Sequence, residues 1–144
     1  MDVRITKIDP RAVIPAYQTD GAAAFDLTII EDAVIPSRGT AFLRTGLVFG
    51  IPEDHVLLIM ARSSLFKKFG LTLANQVGVL DADYCGPEDE CHIYLFNPQD
   101  TDVKVLAGSR LAQGIVLPRP RVTFVEGTAA ERSRGGFGST GGYG

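Results

Sequence analysis

Apolar and polar residues alternate in a series of short stretches: VRIT (3–6), FDLTI (25–29), CHIYLFN (91–97), VKVL (103–106) and RVTFV (121–125). A period of two sends successive side chains to opposite faces of an extended backbone, so each stretch reads as a half-buried strand. Clusters rich in Gly, Pro, Asn and Asp punctuate them, among them IPSRGT, GIPEDH, NPQD, LAGS and LPRP. Strands this short at this spacing point to an all-β barrel or sandwich. HVLLIMA (55–61) is apolar on both faces and is expected as an interior strand. One segment departs from the pattern. In RSSLFKKFGL (62–71), Leu65, Phe66 and Phe69 fall at helical spacing, Ser63 or Ser64 can cap the start, and Gly70 can close the end.

With 144 residues, 45% of them apolar and 22% charged, the chain suits one domain with a real core. The densest apolar run, VLLIM, is far shorter than the roughly 20 residues a bilayer requires, so no membrane span is expected. The first residues, MDVRITKIDP, carry no secretory apolar stretch, and a cytoplasmic protein is expected. A net charge of −3 argues against a broad nucleic-acid surface, so any bound anion must be held by local groups. Cys85, Cys91 and His92 lie close together in sequence, but their spacing fits no common zinc pattern. Reduced, partly buried thiols are expected instead.

Several stretches could carry chemistry, each with an ordinary reading beside the functional one. The start of the short helix would present free amides next to Arg62 and two hydroxyls, an anion site or simply a capped surface helix. In NQVGVLDADYCG (75–86), Gly78 permits close backbone approach. Asp81 and Asp83 share a face if the strand continues, and are turn aspartates if it does not. In FDLTI, Phe25, Leu27 and Ile29 should face the core, leaving Asp26 and Thr28 on the opposite side. Arg110 and Gln113 interrupt an apolar strand, so Gln113 either completes a hydrogen-bond network or faces a ligand. The tail contains GFGSTG (136–141), a formal G-x-G-x-x-G match without the flanking strand and helix that a dinucleotide site needs. What survives is a Gly-rich arm able to approach oxyanions, or a frayed terminus that would leave Phe137 unexplained.

In this order, AAFDL (22–27 region), ARSSL (61–65), NQVGVLDADYCG (75–86), GSRLAQ (108–113) and RSRGGFGSTG (132–141) resemble the five motifs of the trimeric dUTPase family. The resemblance spans nearly the whole chain. It implies a jelly-roll-like β-barrel over residues 1–131 with one short helix. Residues 132–144 would be a flexible Gly-rich arm that closes over an active site, that of a neighbouring subunit in a homotrimer with shared sites. The implied reaction is hydrolysis of dUTP to dUMP and pyrophosphate, limiting uracil in DNA and supplying dUMP. Asp81 corresponds to the carboxylate that activates water for attack on the α-phosphorus. Mg2+ would be held mainly by substrate and water, with Asp26 as an outer-shell partner.

Carried over position by position, Arg62, Ser63, Ser64 and Gln113 are phosphate contacts in that family. The Asn75–Tyr84 hairpin, including Gly78, Val79 and Leu80, would read uracil through its backbone, and Tyr84 would pack on deoxyribose. From the arm, Arg132 would reach the γ-phosphate and Phe137 would stack over the base, with Gly138, Ser139 and Thr140 beside the phosphates. The chain also departs from the family pattern. Ser133 stands where glycine is usual, with Arg134 after it, and Arg134 could compete for the γ-phosphate. Ser64 replaces a frequent glycine, Cys85 a residue more often polar or basic, and Pro87 to Asp89 are extra. A dCTP deaminase or bifunctional enzyme of the same superfamily, or a non-catalytic dUTP-binding regulator, are the competing readings.

Overall fold

The computed structural model describes residues 1–132. Alternation becomes strand wherever a partner is available to complete the ladder. Among the described residues the order is β1 (Arg4–Lys7), β2 (Phe25–Thr28), β3 (Ala33–Ile35), β4 (Thr40–Arg44), β5 (Leu47–Gly50) and β6 (His55–Ala61). The helix α1 (Ser64–Phe69) follows, then β7 (Thr72–Leu73), β8 (Gly78–Leu80), β9 (His92–Phe96), β10 (Val103–Val105) and β11 (Arg110–Pro118). No helix among these residues is long and apolar enough to cross a membrane.

The fold is all-β, as the pattern predicts, but the strands do not close into one continuous barrel. Four antiparallel sheets share the core: β2-β11-β6-β8, β4-β9-β7, β1-β5 and β3-β10. Inward positions alternate along β6 and β9, with Leu57 and Ile59 on β6 and Ile93 and Leu95 on β9 buried, whereas all four residues of β2 are buried. With Leu27, Phe49, Leu65, Leu71 and Leu111 they make a single apolar cluster, the main source of stability in a domain this size. HVLLIMA is the expected interior strand, flanked by β11 and β8.

Two local expectations are corrected and two gain detail. RVTFV forms no strand: Val122, Phe124 and Val125 are 66%, 92% and 84% exposed, because no described strand of the chain offers that segment a ladder. Neither serine caps α1. Ser63 already has helical angles (φ −53°, ψ −26°), whereas a capping residue needs extended backbone, and its side chain makes no cap bond. Gly70 does close the helix at φ +66°, its N–H donating to the Phe66 carbonyl at 2.8 Å. Of the three apolar residues at helical spacing only Leu65 is buried, and Phe66 is 65% exposed, since a helix of six residues turns one narrow face inward. The cysteines differ from each other: both are free, Cys85 exposed and Cys91 buried, where burial pushes its thiol up to about 12.

Candidate functional site

Two groups of site residues emerge, at opposite ends of the four-stranded sheet. At the first end, pairing sets Asp26 on β2 beside Gln113 on β11, and Gln113 beside Met60 on β6. The chain leaving β6 brings Arg62 to the same place. A register shift on β11 between Arg110 and Ala112 does the same for Arg110. Asp26 Oδ1 is 2.8 Å from Arg62 Nε, and Asp26 Oδ2 is 3.1 Å from Arg110 Nη1.

Asp26 lies on the face opposite Phe25 and Leu27, as the alternation requires. That face is covered rather than open, and Asp26 is only 7% exposed. A carboxylate so buried is sustained by its charge partners. Further bonds fix the cluster: Arg62 Nη1 donates to the Arg110 carbonyl at 3.0 Å and Gln113 Nε2 to the Ala61 carbonyl at 3.1 Å. Gln113 thus closes a local network while remaining partly accessible. Ser63 is exposed and Ser64 half-buried at the same corner. Two guanidiniums on one carboxylate leave an excess positive charge, with some N–H groups that take no partner among the described residues.

At the other end, a cavity of about 240 Å³ holds Asp81. Val79, Leu80, Asp81 and Tyr84 line it from β8 and the following turn; Phe42 lines it from β4, His92 from the start of β9, and Glu90 from the segment just before β9. The strand stops at Leu80, and the Tyr84 N–H donates to the Asp81 carbonyl at 3.2 Å. Asp81 and Asp83 are therefore turn residues and do not share a strand face. Nor is the Asn75–Tyr84 segment a two-stranded hairpin. β7 pairs with β9 while β8 pairs with β6, and Gln76 between them takes φ +64°. Among the described residues β8 is consequently an edge strand, with no described strand paired on its other side. A Cβ on Gly78 would lie 3.1 Å from Ile59 Cβ, tighter than ordinary contact, so the close packing of this edge on β6 favours glycine there. Asn75 lies exposed just ahead of it.

Within one chain the two ends do not meet. Leu80 pairs with Leu57, Arg62 lies five residues beyond Leu57 in one direction, and Asp81 one residue beyond Leu80 in the other. Six steps at about 3.3 Å each separate them by roughly 20 Å along the strands.

A family model described as dUTPase matches residues 11–141. The chain belongs to the dUTPase family. It is 42% identical to the deoxyuridine 5'-triphosphate nucleotidohydrolase of Wolinella succinogenes, an alignment covering 98% of this chain and 95% of that protein. The Helicobacter pylori (strain J99) protein of the same name is 37% identical over 98% of this chain and 97% of its own length. Among solved structures, dUTPase from Streptococcus mutans superposes with a TM-score of 0.77 at 29% identity, covering 86% of this chain and all of that one. The dUTPase of Staphylococcus bacteriophage 80alpha, solved with dUPNHPP, reaches a TM-score of 0.82 over 97% of this chain and 98% of its own, and at 23% identity it attests the shared fold.

Of the arm positions of this dUTPase-family chain, Arg132 is the last described residue and is exposed. Phe137, Gly138, Ser139 and Thr140, like Ser133 and Arg134, lie outside the described residues. Phe42, Glu90 and His92 line the Asp81 cavity without having been singled out as site residues from sequence. The alternation of CHIYLFN carried the signal for His92, since burying Ile93 and Leu95 turns His92 toward the other face.

Proposed function

We propose that the chain hydrolyses dUTP to dUMP and pyrophosphate, in sites assembled between subunits of a homotrimer. The observation carrying this reading is the position of Asp81, on the wall of the cavity of about 240 Å³ beside the edge of β8 that no described strand pairs. Uracil would lie along that edge, where main-chain donors and acceptors suit its N3–H and carbonyls. Cytosine, with an acceptor at N3, would leave buried groups unpaired. Tyr84 would pack on the sugar, leaving no room for a 2′-hydroxyl.

Asp81 would orient a water and accept its proton as the water oxygen bonds to the α-phosphorus, while the bond from that phosphorus to the bridging oxygen breaks and pyrophosphate leaves. The Asp26-held guanidiniums of a second subunit, with Ser63, Ser64 and Gln113, would hold the phosphates. That division of labour is supported by the roughly 20 Å between the two ends within one chain. A third element would come from the arm: Arg132 at the γ-phosphate, Phe137 over the base, and Gly138, Ser139 and Thr140 beside the phosphates.

Among the described residues no three acidic, His or Cys side chains gather to grip a cation. Both Asp26 oxygens already face arginine, so this donor set fits a magnesium ion bound through substrate and water, with Asp26 beyond its first layer of ligands. When bound, Mg2+ would neutralise phosphate charge. The decisive assay follows dUMP and pyrophosphate from dUTP, with dCTP in parallel. Asp81→Asn is expected to lower kcat by about 10²- to 10⁴-fold while dUTP binding by calorimetry stays within a few-fold. Ammonia from dCTP would assign a deaminase instead, and tight dUTP binding without turnover in the unmodified protein would assign a regulator.

A further inference from the structure

Glu90 combines burial with anchorage on the wall of the Asp81 cavity. It is 7% exposed, and both carboxylate oxygens are engaged. Oε2 lies 3.0 Å from Arg44 Nε, and Oε1 accepts the Gly46 N–H at 2.7 Å. Arg44 is itself 3.7 Å from Asp9 and 4.0 Å from Glu31, which ties Glu90 to two further loops. The main-chain carbonyl of the same residue accepts from the two side chains that flank it in the cavity. Tyr84 Oη donates at 3.3 Å, and His92 Nδ1 at 2.9 Å, protonated there because a carbonyl only accepts.

The path from Tyr84 to Glu90 is closed upon itself. Asp89 Oδ2 accepts the Gly86 N–H at 2.7 Å, the Gly86 carbonyl accepts the Asp89 N–H at 3.2 Å, and the Glu88 carbonyl accepts the Glu90 N–H at 2.9 Å. Pro87 to Asp89, the residues extra to the family pattern, therefore form a tied turn that delivers Glu90 at a fixed place. Tyr84 needs such a support. It stands 38% exposed on a turn, and a phenol ring there is free to rotate about two torsions unless its hydroxyl is held.

We propose that Glu90 is a positioning residue for Tyr84. Anchored by Arg44 and Gly46 and delivered by the Gly86–Asp89 turn, its carbonyl holds the tyrosine ring against the sugar and so sets the preference for deoxyribose over ribose. The inference rests on dUTP being the substrate. Exclusion of a 2′-hydroxyl is steric, so it is only as strong as the wall is stiff; a ring that swings admits the extra oxygen.

The test measures kcat and KM for dUTP and UTP by pyrophosphate release on the full chain and on Tyr84→Phe, Glu90→Gln and Asp89→Ala. The ratio of kcat/KM for dUTP over UTP is expected to fall about fivefold in Tyr84→Phe, the amount one hydrogen bond carries. It should fall at least about threefold in the other two variants, chiefly through a lower KM for UTP. Asp89→Ala should keep the wild-type kcat on dUTP. Asp89→Ala alone decides the matter if Glu90→Gln does not fold. An unchanged ratio in Asp89→Ala and Tyr84→Phe overturns the positioning role. A wild-type chain that does not turn over dUTP overturns both this inference and the function on which it rests, a result that cannot be confused with the first.

Discussion

At the scale of single residues, charge pairing is what links stability to pH. The Asp9 carboxyl is held well below the usual carboxylate range, chiefly by hydrogen bonding from the Arg11 side chain. Asp32 is lowered by the Ala107 amide and then Lys104, and Asp54 by its bond with His55. A depressed folded-state value contributes stability above the unfolded value near 4, and that contribution is lost as pH falls through the folded value. The melting temperature should therefore fall as pH drops from about 5 toward 2, and less steeply in Asp9→Asn, by thermal unfolding over that range. Identical acid slopes in both proteins would contradict the assignment. Little of this was legible in the chain itself. Period-two alternation puts Asp26 on the outward face, and only the topology, with its irregularity at Arg110, reveals that two arginines from distant segments meet it there.

At the scale of elements, β11 is the strand on which the architecture turns, since it pairs with both β2 and β6. Gly114 sits at their crossing, where an added Cβ would lie 2.7 Å from Phe25 Cε2 and 2.9 Å from Leu57 Cδ1. Gly114→Ala is expected to cost about 1–3 kcal/mol through overpacking, read as a lower urea midpoint at unchanged m value. Gly21→Ala is the control, having open space around it and an ordinary φ. Strands were readable where alternation and ladder coincide, as in FDLTI and CHIYLFN. RVTFV shows the limit of that logic: alternation states that one face seeks burial, but not whether the same chain supplies the partner. The start of the helix was readable from spacing, whereas the backbone angle that denies Ser63 its capping role was not.

At the scale of the whole molecule, the outward side of the four-stranded sheet carries Leu58, Met60 and Ile115, with Val79 60% exposed beside them. Together with the exposed 120–132 segment, this apolar surface suits the trimer proposed above. The proposal of shared sites makes a sharp prediction. Asp81→Asn and Arg62→Ala chains should each be nearly inactive alone, yet recover a measurable fraction of wild-type turnover when unfolded together and refolded as mixed assemblies. No recovery would mean that one chain serves both ends of its own site. The lateral edge of β8 carries a last consequence. A base read there is read by amides that every amino acid possesses, so no single codon change swaps the letters of that recognition. Choice of nucleobase would then drift far more slowly in evolution than the side chains around it.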